Sequence, residues 1–226
     1  MRSLELELQQ GLEGLSLVLE DAQIDRLLSY LELIQKWTKV YNLTAVRAPQ
    51  EMLTHHLLDS LAVVNPLRLK FARPGFGTVV GETAVQIPRA RLLDVGSGAG
   101  LPGVILAICC PELVVDCVDA VGKKAAFVQQ VALTLSLPNL RGLHARAESL
   151  TDKYAVISSR AFASLSDFVA VSEAALAADG IWMAMKGKQP IDEIATLPTH
   201  VQVFHVEQLT VPLLGAERCI VWMRKT

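Results

Sequence analysis

The stretch Arg91-Leu92-Leu93-Asp94-Val95-Gly96-Ser97-Gly98-Ala99-Gly100-Leu101-Pro102-Gly103 decides how the rest of the chain is read. An apolar run leads into glycines at 96, 98 and 100, and Val104-Ile105-Leu106-Ala107-Ile108 follows Pro102. The pattern predicts strand, tight turn, helix. Glycine permits positive φ and close approach of backbone to a ligand, and Pro102 suits a first helical turn, where its missing N–H is no loss. Such a turn is expected to aim free N–H groups at a bound molecule. A second apolar segment, Leu113 to Val118, ends at Asp119. That acid stands about 20 residues past the loop, where a carboxylate accepts from the hydroxyls of a ribose. Loop and acid together describe a pocket for an adenosine-containing ligand.

Upstream of this unit the chain is helical. Between Asp21 and Tyr41, apolar residues at Ile24, Leu27, Leu28, Leu31, Ile34, Trp37, Val40 and Tyr41 form one helical stripe, closed by Asn42-Leu43-Thr44. A second helix is expected from about Gln50 to Val64, stopped by Asn65-Pro66 because proline disfavours helical geometry in its predecessor. From Lys36 to Arg73 there are six basic residues (Lys36, Lys39, Arg47, Arg68, Lys70, Arg73) against two acids (Glu51, Asp59). The run is either an ordinary solvated surface or a site for nucleic-acid phosphates. His55, His56 and Asp59 lie on neighbouring turns, but adjacent histidines diverge on a helix and no third strong ligand is near, so no metal site is expected. Glycines at 75, 77 and 81 between Pro74 and Arg89 suggest a loop or small hairpin.

Downstream, strand and helix alternate. Helices are expected from about Lys123 to Leu135 and Leu165 to Ala177, and strands at Leu140 to His144, Tyr154 to Ser158, Ile181 to Met185, Val201 to Val206 and Cys219 to Met223. With the first two this makes seven strands, mostly parallel, the last two forming an antiparallel edge hairpin. The expected organisation is a helical extension over 1–73, an inserted loop or hairpin over 74–90 and an α/β core over 91–226, within one compact domain. Asp94, Asp119, Glu148, Arg160 and Lys186 all follow strand ends and are expected on one rim. Ala147-Glu148 is suited to the adenine edge. Ser159-Arg160-Ala161-Phe162 offers a planar five-donor cation beside an aromatic ring, a pair that suits a purine.

A chain of 226 residues with 51% hydrophobic content can bury a large core, and a monomer is expected. The net charge of −2 supplies no global attraction to nucleic acid. Cys109, Cys110, Cys117 and Cys219 contain no C-x-x-C pair and read as buried thiols. Acids stand near the amino terminus where a signal peptide would be apolar, and no apolar run approaches the roughly 20 residues of a membrane span, so a cytoplasmic protein is expected.

The motifs Asn42-Leu43-Thr44, His56-x-x-Asp59-Ser60, Asp94 to Gly103, Ser159 to Leu165 and Lys186-Gly187 resemble those of the bacterial small-subunit ribosomal RNA guanine-N7 methyltransferases, also called the glucose-inhibited division protein B family. The resemblance implies a class I methyltransferase (Rossmann-like) fold, S-adenosylmethionine as donor and a guanine of 16S rRNA, free or within the small ribosomal subunit, as acceptor. It implies further that Asp94, Gly96, Ser97, Gly98, Gly100 and Leu101 hold the methionine part, Asp119 the ribose, Ala147 and Glu148 the adenine. Arg160 would serve cofactor and reaction, and Asn42, Thr44, His56, Phe162 and Lys186 the acceptor. The chain departs from the family pattern at Thr38, where Asn is usual after Trp, and at His55, where Arg is usual before His. Two other readings remain open from the residues. Gly98-x-Gly100-x-x-Gly103 matches a dinucleotide fingerprint and hence an NAD(P)-dependent oxidoreductase, and the pocket would also serve a module that senses an adenosine ligand without chemistry.

Overall fold

The structure, a computed structural model, describes residues 2–71 and 90–226. The expected hairpin and Arg73 lie outside them. Seven strands form one sheet in the order β3-β2-β1-β4-β5-β7-β6. They are β1 (Arg91–Val95), β2 (Val114–Asp119), β3 (Leu140–His144), β4 (Tyr154–Arg160), β5 (Leu176–Lys186), β6 (Val201–Leu209) and β7 (Arg218–Lys225). The pairs β1/β2, β1/β4, β2/β3 and β4/β5 are parallel; β7 runs antiparallel to both β5 and β6. All seven lie where the apolar pattern predicts them, with β5 beginning earlier than expected. The strand order reverses between β1 and β4, where sheets of this kind bind their ligands.

The helices are α1 (Arg2–Gly14), α2 (Asp21–Tyr41), α3 (Pro49–Met52), α4 (Asp59–Leu61), α5 (Val64–Phe71), α6 (Gly103–Cys109), α7 (Gly122–Thr134), α8 (Leu165–Ser172) and α9 (Ile191–Ala195). Side chains alternate through the sheet. Leu92 and Val156 enter a core beneath the N-terminal helices, α6 and α7, and Leu93 and Ile157 enter a second core with Phe168 of α8, Trp182 and Tyr154. The N-terminal helices thus share a core with the sheet, through Leu27, Leu31, Ile34, Leu53 and Leu57.

The N-terminal half holds three departures from expectation. α1 was not foreseen; it is held by Leu8 and Leu12, one turn apart and buried. The helix expected from Gln50 to Val64 is divided, with a π-helical stretch Leu53–Leu58 between α3 and α4. Asn65-Pro66 does not end it. Pro66 lies in the first turn of α5, where it needs no N–H partner, and the Asn65 amide donates to the carbonyls of Leu15 and Ser16 at 3.2 Å each.

Candidate functional site

The turn after β1 is built as its glycines demand, with φ of +66° at Gly96, +59° at Gly98 and +88° at Gly100. A Cβ on Gly100 would stand 2.5 Å from a Val104 methyl, and one on Gly103 2.3 Å from the Cys117 sulfur and 3.0 Å from the Asp94 carboxylate. At Gly98 the same position is open. Asp94 is fully buried beneath the turn rather than on the rim. Its Oδ2 accepts the Gly103 N–H at 3.0 Å and its Oδ1 the Ser158 hydroxyl at 2.8 Å, joining β1, β4 and the start of α6. Burial pushes this carboxyl up to about 7, against those two hydrogen bonds.

Most of the loop amides expected to be free are engaged. Gly96 and Ser97 N–H both donate to Val118 O, Gly98 N–H to Asp119 Oδ2, and Gly100 and Leu101 N–H to Ser97 O. The turn is too short to leave these groups outward and folds them onto itself and onto the end of β2. It therefore offers a ligand bare backbone rather than a ring of donors. It is also propped from below. The hydroxyl of Tyr30, buried on α2, donates to Ala99 O at 2.6 Å; the Gln23 amide, also on α2, donates instead to Ile108 O near the end of α6 at 2.8 Å. Nothing local in the sequence marked Tyr30, which is not among the residues of the α2 apolar stripe read from Ile24 to Tyr41.

Three cavities follow one another across the sheet edge. The first, of about 190 Å³, lies between β1, β2 and the 3-10 turn Ala147–Ser149, lined by Gly96, Asp119, Ala147, Glu148 and Phe162. Asp119 ends β2, its Oδ1 accepting from Val121 N–H at 2.8 Å and Lys124 standing 3.6 Å from its Oδ2. The second, of about 160 Å³, is lined by Thr44, His56, Ser97, Gly98, Leu101 and Arg160, and it shares Gly96 with the first. The third, of about 410 Å³, is lined by His55, Asp59, Lys186 and Arg218, and it shares His56, Arg160 and Ala161 with the second.

Arg160, the last residue of β4, stands at the junction of the second and third cavities. Its Nη1 donates to His55 O at 2.8 Å and to Asp59 Oδ2 at 3.0 Å, while Arg218 Nε donates to Asp59 Oδ1 at 2.6 Å. Ala161 follows with φ +58°, a conformation costly for a residue with a Cβ. The bend sends Arg160 and Phe162 apart. Phe162 lies against the first cavity, its ring 5.7 Å from that of Phe168, and does not line the third, where an acceptor base was expected to meet it.

The other expected acceptor residues divide in the same way. His56 is buried, its Nε2 2.8 Å from Thr44 Oγ1 and its Nδ1 without a partner among the described residues; burial and then the Arg160 guanidinium push the imidazole down to about 4, so it is neutral at pH 7. Lys186 lines the third cavity but is paired with Glu193 at 2.7 Å. Asn42 lines none of the three; it takes the left-handed cap of α2 and accepts from Arg47 at 2.7 Å. Arg218 was not foreseen, because only the antiparallel return of β7 beside β5, pairing Cys219 with Lys186, carries it to this rim.

The basic run from Lys36 to Arg73 is not one surface. Arg47 lies near the cleft, its guanidinium donating to Thr38 O at 3.0 Å. Arg68 donates to Cys109 O, and the Lys70 ammonium stands 4.9 Å from the Trp222 ring centre, beside Ile181 and Arg224 at the opposite end of the sheet. All four cysteines are buried and free, and among the described residues no helix is long and apolar enough to cross a membrane.

Comparison with known proteins accords with this geometry. The family described as rRNA small subunit methyltransferase G matches residues 23–74 and 77–221. The protein named ribosomal RNA small subunit methyltransferase G from Albidiferax ferrireducens is 66% identical over 226 residues, covering 100% of this chain and 99% of the relative. Its namesake from Polaromonas sp. is 62% identical over 224 residues, covering 99% and 95%. Among solved structures, TrmN from Thermus thermophilus superposes with a TM-score of 0.56 at 20% identity, over 77% of this chain and 53% of that one. A ribosomal protein L11 methylase from Lactobacillus delbrueckii subsp. bulgaricus superposes with 0.53 at 12% identity, over 80% and 81%. At such identities these two share the fold alone, and that fold is the class I methyltransferase sheet with its antiparallel edge. By family match and by full-length identity, this chain belongs to the rRNA small subunit methyltransferase G family.

Proposed function

We propose that the chain transfers the methyl group of S-adenosylmethionine to N7 of a guanine in small-subunit (16S) ribosomal RNA, and that it works in the cytoplasm where that RNA is assembled. The observation that carries the reading is the run of three cavities with shared walls, Gly96 between the first two and His56, Arg160 and Ala161 between the last two. An adenosine, a methionine part and an acceptor nucleotide fit that order.

The residues present suit the donor. Asp119 has lone pairs beyond those engaged by Gly98 and Val121 and would accept from a ribose, with Ala147 and Glu148 beside the adenine. The Gly96 to Gly100 turn, with Ser97 and Leu101, would flank the methionine part. With most of its amides engaged, it leaves chiefly carbonyl oxygen and uncovered backbone, an environment for a cation and a poor one for a pyrophosphate, which needs several free donors. That argues against the oxidoreductase reading.

When bound, S-adenosylmethionine supplies a methyl carbon activated by its sulfonium, and the C–S bond breaks as the carbon–N7 bond forms. Guanine N7 has an in-plane lone pair and no proton, so the protein needs to position rather than to deprotonate it. Neutral His56 accords with that. Because attack leaves positive charge on the base, a guanidinium against N7 would oppose the reaction, and Arg160 is better used on O6 or on a phosphate.

The test is incubation of labelled donor with small subunits from a strain lacking the modification, followed by mapping of the labelled nucleotide. Label at a guanine N7 is expected. A label elsewhere, or calorimetric binding of the donor with no transfer, would overturn the reading.

A further inference from the structure

We infer that Asp59 is a positioning residue for methyl transfer, fixing Arg160 and Arg218 as a two-arginine clamp on the acceptor nucleotide; the inference rests on the proposed function. Three distant parts of the chain meet at this carboxylate. Asp59 opens α4, Arg160 ends β4 and Arg218 opens β7, at separations of 101 and 159 residues. The two oxygens divide the work, Oδ2 accepting from Arg160 Nη1 at 3.0 Å and Oδ1 from Arg218 Nε at 2.6 Å. Asp59 is 3% exposed, so water does not compete for it.

Without a carboxylate between them, two guanidinium groups on one cavity wall repel and turn towards solvent. With it, each is held by a charge-assisted hydrogen bond of defined direction, and the trio keeps a net charge of +1. The remaining contacts fix the arginines further, Arg160 Nη1 on His55 O and Arg218 Nη1 on Glu217 O. Arg160 Nε and Nη2 and Arg218 Nη2 have no protein partner among the described residues, and both side chains line the cavity of about 410 Å³. These unused donors suit the oxygens that a guanosine nucleotide presents, its O6 and the adjoining phosphodiester. Asp59 touches neither; it sets the angle and spacing of the groups that do. The same acid, three residues from His56, is thereby occupied as an arginine partner and not as a metal ligand.

The experiment compares wild type, Asp59→Asn, Arg218→Gln and the double variant. It measures kcat/KM for transfer to unmodified small subunits, and donor affinity by calorimetry. Asp59→Asn should lower kcat/KM by about 100-fold with donor affinity unchanged, because Asp59 lines neither of the first two cavities. The double variant should be no worse than the poorer single one, since both changes release the same clamp. An Asp59→Asn enzyme with near wild-type kcat/KM, fully multiplicative losses, or a donor affinity that falls in step with activity would each overturn the role. If Asp59→Asn does not fold, Asp59→Glu keeps the charge but displaces it by a methylene. A loss of about 10-fold or more is then expected, and wild-type kcat/KM overturns the role. Failure of the wild type itself to modify subunits would instead overturn the proposed function, and this inference with it.

Discussion

The two halves of the cleft are made from different materials. The half at Gly96 to Asp119 is backbone, a single turn and the strand beside it, in which glycines remove atoms and one carboxylate ties the parts together. The half at Asp59, Arg160 and Arg218 is side chain, three charges from three separate segments that meet only after the sheet and the N-terminal helices have packed. The first is closed at Gly100 and Gly103 to any added atom and is built from one continuous segment, supported from outside by Tyr30 and Ser158. The second would tolerate a different scaffold but depends on the whole fold.

If that contrast holds, the largest effect should come from the side-chain half without disturbing the other. Arg160→Ala is expected to lose methyl transfer by about 100-fold or more while retaining donor binding by calorimetry; near-normal turnover would break the contrast at its centre. Next comes a pair inside the backbone half. Gly103→Ala drives a methyl into the Cys117 sulfur and the Asp94 carboxylate and should cost about 3 kcal/mol of stability. Gly98→Ala meets open space at φ +59° and should cost about 1 kcal/mol, yet should weaken donor binding, because the space it fills is the cavity itself. Equal denaturation midpoints for the two would show the turn to be looser than its contacts imply.

A smaller effect probes where the halves touch. Tyr30→Phe removes the hydrogen bond to Ala99 O and should cost about 1 kcal/mol in thermal or denaturant unfolding, with a modest loss of donor affinity. No change in either would mean that the N-terminal helices do not support the glycine turn. The smallest concerns pH. His56 is held near 4 against an ordinary 6.5, so the unfolded chain binds its proton first on acidification, and this residue's contribution to stability is lost as pH falls from 6.5 towards 4. His56→Gln should therefore lose less unfolding midpoint than wild type over that window; parallel curves would show that the imidazole is charged in the native protein.

The same contrast explains what was legible in the sequence. The strands could be read because parallel β-structure buried on both faces leaves short apolar runs, and α2 because its stripe recurs over five turns. The glycine turn could be read because positive φ allows few residue types. The acceptor half could be read only in part. Asp59 was weighed only as part of a metal cluster that was not expected to form, Lys186 was placed on the rim without its Glu193 partner, and Arg218 was not seen at all, since no local pattern announces a partner 159 residues away. Charge counted along the chain left the basic run undecided for the same reason, as Arg47 and Lys70 lie in different parts of the fold. Asn65-Pro66 reads as a stop but forms the first turn of α5, because proline both disfavours helix in its predecessor and lacks only an N–H that a first turn leaves unpaired.

One feature of the glycine turn bears on rates. Because most of its amides are already satisfied by Val118, Asp119 and Ser97, its shape does not wait for a guest. Association with a small nucleoside should then involve no prior rearrangement of this segment, and the speed of capture should be governed by diffusion and access to the mouth of the cleft. Slow steps belong to the far side, where a large and folded polynucleotide has to find three charges at once.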